Sequence, residues 1–188
     1  MGLWPGMEWV NQVGDYMVSR NFSDSERPIP DTVLRVTTFL EQAGIEASLH
    51  EFYERTPTAK LAARAVGCKM SQVVKSLIFA CDRELTLVMV GGDLRVDKAK
   101  ICSFMGVTAA KIVKPEVVFE LTGFKIGGVP PFPLPSVDRA LCDTGLLAET
   151  LVWAGAGSDR HMVELRPYDL LRLSRAIPAD IGCSKSSC

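Results

Sequence analysis

The sequence lacks the spacing of a metal site. It has two histidines, His50 and His161, and its six cysteines are scattered without one Cys-x-x-Cys pair, so no bound metal and no cofactor are expected. An excess of charge of one sign is lacking too, since 21 Lys plus Arg stand against 22 Asp plus Glu. Such a chain has no global basic field, so DNA binding is not expected and any contact with nucleic acid must come from a local patch. No apolar run approaches the roughly 18 residues that cross a bilayer. The stretch MGLWPGMEWVNQVGDYMV carries Glu8 and Asp15 without a basic opening region, which argues against a secretory signal. Gly6 stands where myristoylation wants Ser or Thr, and the last four residues offer prenylation no suitably placed cysteine. A cytoplasmic protein with no membrane partner is expected.

What is present fits one mixed domain. With 188 residues, 47% hydrophobic and 23% charged, the chain can bury a sizeable core. Residues 1–28 read as an N-terminal extension, 29–182 as the domain and 183–188 as a tail. Asp31 is expected to cap a helix that stops at Gly44, and Thr56-Pro57 to open a second helix that ends at Gly67. VVKSLIFA and LTLVMV, separated by the polar turn at residues 81–84, read as a hairpin at the centre of a sheet. Asp97 caps a helix through KAKICSFM, and Pro115 starts a short one closed by Gly123. A strand is expected around Ser136 to Leu141, then a hairpin from LVWAGAGS and HMVEL, then an amphipathic helix from Pro167. The fold class is therefore α/β, with a mixed, largely antiparallel, barrel-like sheet flanked by helices. Cys68, Cys81, Cys102 and Cys142 read as small buried thiols, while Cys183 and Cys188 read as exposed.

Few motifs carry chemistry. AGAGSDR has two glycines of a dinucleotide fingerprint, but Arg160 stands where the third belongs and a strand follows it, which rejects nucleotide binding by that route. The Pro130 to Pro133 spacing reads as a fixed bend. His50 and His161 are expected to be structural, with no Ser or Cys nearby to suggest a triad; His161 holds more interest because it follows the glycine loop. Lys75 differs, because its ammonium sits in a run that otherwise leaves water. It either snorkels to the surface or faces a cleft where it holds a phosphate or carbonyl oxygen. Gly127-Gly128 exposes backbone N–H and C=O groups that can grip a ligand.

Taken in order, TPTAKLAARAVGCKMSQVVKSLIFA, LTLVMVGGDLRVDKAKI, ELTGFKIGGVPPF and WAGAGSDRHMVELRPYDLLRL resemble the YbaK/EbsC-type family of prolyl-tRNA-editing deacylases over roughly residues 32–182. The resemblance implies the fold of the YbaK and prolyl-tRNA-synthetase-associated domain. It also implies a trans-acting, metal-free hydrolase that cleaves the ester of misacylated tRNA, with tRNA-Pro or a related tRNA carrying a small non-cognate amino acid as substrate. It makes Lys75 and Gly127 the catalytic residues, and Thr58, Gly128, Pro131, Gly157, Ser158 and His161 the substrate-binding ones. Prolyl-tRNA synthetase or an elongation factor are the implied partners beside tRNA. The sequence departs from the family at Pro130 and Pro133, where serine and glycine are usual, and at Met162, where cysteine-specific members carry an acid. Those departures keep a second reading open, an RNA-binding or regulatory module of the same fold with little or no turnover. A protein-interaction domain using the proline bend is a third.

Overall fold

Along Glu84–Gly91 the side chains alternate between two cores, Leu87 and Met89 into one and Val88 and Val90 into another. A strand buried on both faces needs a continuous apolar run, as LTLVMV supplies. The structure is a computed structural model that describes residues 7–13, 16–21, 28–45, 47–184 and 186, the first two segments by their backbone. Residues 22–27 and Cys188 lie outside the described residues.

In chain order the elements are β1 (Met7–Val13), β2 (Tyr16–Asn21), α1 (Asp31–Gln42), β3 (Ser48–Glu51) and α2 (Ala59–Val66). After a 3-10 turn at Met70–Gln72 come β4 (Val74–Cys81), β5 (Glu84–Gly91), β6 (Arg95–Val96), α3 (Lys98–Met105), β7 (Ala110–Ile112) and α4 (Pro115–Thr122). The chain finishes with β8 (Arg139–Asp143), α5 (Thr144–Leu147), β9 (Val152–Gly155), β10 (His161–Leu165), α6 (Pro167–Ser174), β11 (Ile177–Ala179) and β12 (Gly182–Cys183).

The strands form two five-stranded sheets, ordered β1-β2-β3-β10-β9 and β11-β8-β5-β4-β7, with β6 and β12 as a separate pair. Pairing is mostly antiparallel, with parallel neighbours at β2–β3, β5–β8 and β8–β11. Neither sheet closes on itself, so the expected barrel-like sheet is two open ones. They meet where Val73 bridges Trp153. In the segment expected to be an N-terminal extension, β2 lies beside β3, with Val18 opposite Leu49 and Ser19 opposite His50.

One core lies between the sheets and is shared with α1, α4 and α6 through Val36, Leu40, Val118 and Leu170. A second fills the space between β4, β5 and α3, around Phe79 and Ile101. A third sits under α2, where Phe52, Ala62, Ala63, Val73, Trp153 and Met162 pack together. Period-two alternation shows again in the last hairpin: Val152, Ala154 and Val163 face the first core, while Trp153 and Met162 face the third.

Several local expectations need correction. Asp31 does not cap α1; Pro30 takes that position with extended backbone and no side-chain bond, and Asp31 sits in the first turn, where its charge suits the helix dipole. The strand expected around Ser136 to Leu141 runs from Arg139 to Asp143. Cys81 and Cys142 are buried, but Cys68 and Cys102 are only partly so. Burial pushes the Cys142 thiol up to about 12, which leaves it unreactive. Cys183, expected to be exposed, is half-buried on β12.

His50 gives stability a pH dependence. Its ring packs edge-on against Trp153 with centroids 4.8 Å apart, and burial holds the imidazole below its ordinary 6.5. The folded protein therefore refuses a proton that the unfolded chain accepts, so this contribution is full above pH 6.5 and is lost as pH falls. Thermal melts at pH 7.5 and 5.5 should show a drop that is smaller in His50→Gln; an equal drop in both proteins would contradict the assignment.

Candidate functional site

Helix α2 begins where Thr58 caps it, its hydroxyl accepting from Leu61 N at 3.3 Å, and ends at Gly67 in the left-handed conformation. The capped end overhangs the seam between the sheets. Beneath it opens a cavity of about 480 Å³, lined among others by Thr58, Lys60, Lys75, Ser76, Arg95 and Gly127. Its apolar wall includes Ala62, Val73 and Met162. Three cations border the cavity, and no Asp or Glu is among its lining residues. The positive end of the α2 dipole adds to that field.

Lys75 opens the row that continues as Leu77 and Phe79 against the α3 core. Pairing opposite Val90 fixes it in the β4–β5 ladder. Because the row ends at the cavity, the half-buried side chain can direct its ammonium to a polar partner, and Nζ donates to the Leu94 carbonyl just before β6. The neighbouring Ser76 hydroxyl is buried without a hydrogen-bond partner among the described residues. Lys75 and Ser76 project from opposite faces of β4 and both line the cavity at the strand's end, a setting suited to anionic or carbonyl oxygens.

The double glycine forms the opposite rim. Gly127 has φ of 92°, and a Cβ there would come within 3.1 Å of Pro57 Cα, so glycine is needed for backbone conformation as well as for access. Gly128 is buried behind it, and a Cβ would meet the Ser158 backbone at 2.6 Å. The two loops are tied by Gly157 N donating to Gly128 O at 3.0 Å.

Ser158 and His161 brace this arrangement. Ser158 Oγ and His161 Nδ1 share a hydrogen bond of 2.7 Å, Arg160 N donates to Ser158 Oγ at 3.1 Å, and His161 Nε2 lies 3.9 Å from Glu51 Oε1. Thr56 N donates to the Asp159 carbonyl at 2.6 Å, which fastens the same loop to the segment leading into α2. His161 therefore has a serine partner three residues earlier, contrary to the expectation that none lay nearby. The ring is buried and makes no part of the cavity lining.

The candidate residues thus divide. Lys75, Gly127 and Thr58 border one cavity. Gly157 and Ser158 line a smaller one next to it, and Gly128 and His161 are buried in the support. Pro131 lines a third cavity with Phe39 and Leu173. Sequence reasoning missed Lys60, Ser76 and Arg95. Ser76 adjoins Lys75, but nothing in the run separates it from a serine facing water, and Arg95 reaches the site only through the β6 turn. Among the described residues no three His, Cys, Asp or Glu side chains gather as metal ligands.

Residues 54–173 match the model of the aminoacyl-tRNA editing domain. This chain belongs to that family. The chain is 31% identical over 140 residues to the uncharacterised protein YwhH of Bacillus subtilis, covering 74% of this chain and 88% of that one. It is 31% identical over 99 residues to the proline--tRNA ligase of Listeria innocua, covering 52% of this chain and 17% of the ligase. The chain thus spans less than a third of the ligases it matches. A crystal structure described as a candidate trans-editing enzyme for prolyl tRNA synthetase superposes with a TM-score of 0.77 at 37% identity, covering 84% of this chain and all of that one. The matched segment of the editing domain includes α2, Lys75, the double glycine and the brace. Strands β1 and β2 lie outside it.

The unpartnered hydroxyl yields a stability test. If Ser76 Oγ serves only the cavity, Ser76→Ala removes an unsatisfied group and should melt no lower than the parent. A loss of more than about 1 kcal/mol, the net value of an ordinary hydrogen bond, would mean that the hydroxyl supports the fold.

Proposed function

We propose that the protein is a trans-acting aminoacyl-tRNA deacylase, which binds the 3′ end of a misacylated tRNA and hydrolyses the ester joining its amino acid to the terminal adenosine. The observation that carries this reading is the cation-bordered cavity with Lys75 at the end of an apolar row, since an RNA terminus brings phosphate and carbonyl oxygens to one place. An aminoacyl ester is already activated. The site needs chiefly to position it, admit water or the substrate's own ribose hydroxyl, and stabilise the developing oxyanion. Lys75 is suited to hold the terminal nucleotide as a cation, Ser76 and the Gly127 backbone to orient the ester, and Thr58 to keep the α2 end in place.

The wall formed by Ala62, Val73 and Met162 favours a small, uncharged side chain on the amino acid. No buried carboxylate borders the cavity to recognise a positively charged one. Rejection of small or isosteric amino acids by binding alone is limited to about 10–200-fold, which is the chemical need that a separate hydrolytic site meets. Similarity to proline--tRNA ligases makes tRNA-Pro the first substrate to test, with prolyl-tRNA synthetase as the associated activity and the cytoplasm as the place of action.

The purified protein should release amino acid from tRNA-Pro charged with a small residue, faster than from correctly charged tRNA-Pro, in single-turnover assays without added metal. Lys75→Ala should weaken tRNA binding by about 1.5–3 kcal/mol, the range of a charge-assisted hydrogen bond. Lys75→Arg should keep part of it, because the charge remains while the planar fork fits a point-charge site less well. Hydrolysis by Lys75→Ala at the parent's rate, with folding checked by melting, would remove Lys75 from the site.

A further inference from the structure

Ile126 borders two cavities. One is the large cavity; the other, of about 330 Å³, lies on the far side of the double-glycine rim and is lined also by Arg55, Phe119, Lys125, Ser158 and Asp159. Phe119 is 48% exposed and Ile126 50%, which is unusual for two large apolar side chains at one opening. Phe119 sits on the last turn of α4, one residue past the core-facing Val118, which is fully packed. Lys125 is exposed and has no ion-pair partner among the described residues. Arg55 pairs with Asp159 at 3.6 Å, which offsets the only carboxylate lining this cavity.

We infer that this smaller cavity is a subsite for the nucleotide preceding the terminal adenosine of a single-stranded RNA 3′ end. The inference rests on the deacylase reading for the identity of the RNA. A chain whose last nucleotide occupies the large cavity must leave past Ile126. An exposed ring and a free cation at that exit supply what a single-stranded nucleotide needs, an apolar face for the base and a positive charge for the phosphate. Base stacking tolerates any base, so this subsite contributes affinity without reading sequence. The brace gives it a fixed wall, because the Ser158 backbone abuts Gly128 on one side and its carbonyl accepts from His161 N at 3.3 Å on the other.

The test compares binding of the trinucleotide CpCpA with binding of AMP, using the parent protein, Phe119→Ala and Lys125→Gln. The parent should prefer CpCpA by at least about tenfold, and Phe119→Ala should remove about tenfold of affinity for CpCpA, the scale of one lost stacking contact. Lys125→Gln should weaken CpCpA and lower the slope of affinity against salt by about one phosphate contact. Affinity for AMP should change by less than about twofold in both variants. Equal binding of the two ligands by the parent overturns the subsite, as does a parallel loss of AMP and CpCpA in both variants. If the variants lose CpCpA selectively while the parent deacylates no misacylated tRNA, the subsite stands and the deacylase reading falls. If the parent deacylates and neither variant alters CpCpA binding, the deacylase reading stands and the exposed Phe119 serves something other than RNA.

Discussion

Two open sheets meet at the bridge between Val73 and Trp153, and the rest of the site follows from that seam. Each sheet supplies one wall, β4 with Lys75 and Ser76, and β9 and β10 with Gly155 and Met162. Strands cannot fill the space where their ladders end, so the third core under α2 covers it instead. The helix thereby brings its capped, positive end to the same place as the lysine. An unfilled seam, a helix end and an interrupted hydrophobic row coincide, and their coincidence makes the cavity.

Rigidity comes from backbone contacts more than from side chains. Gly128 lies so close to the Ser158 backbone that a Cβ would meet it at 2.6 Å, while Gly127 combines a positive φ with a tight 3.1 Å approach to Pro57. Ser158 is pinned in turn through Arg160 N and His161. A rim built this way can present N–H and C=O groups at fixed positions, at the cost of tolerating almost no substitution. The histidine most suggestive of catalysis in the sequence is thus part of the scaffold, while a plain serine beside Lys75 borders the cavity.

Much of the fold was legible where periodicity and caps coincide. Asp97 with Gly106, and Pro115 with Gly123, bound α3 and α4 as their residue types suggest, and the two hairpins follow from turn residues between apolar runs. What was not legible depends on distant pairing. Strands β6, β7, β11 and β12 are two or three residues long and exist because a partner strand passes by. Lys75 stood out because a charge in an apolar run is costly anywhere. Lys60 and Arg95 did not, since an exposed cation on a helix or turn is ordinary until the fold brings it to a cavity. The four-part resemblance located the family, but not which of its glycines face solvent and which are buried.

The pairing of β3 with β10 joins residues 48–51 to residues 161–164 across most of the chain. By contrast, β4 and β5 meet over eight register pairs through a turn of two residues. Local ladders form before the loop-closure entropy of distant ones is met. During synthesis the hairpin that carries Lys75 can therefore form early, yet the wall containing Met162 is absent until β10, His161–Leu165, has emerged. The cavity is consequently a late product of folding, and a chain truncated before β10 retains its lysine with no chamber around it.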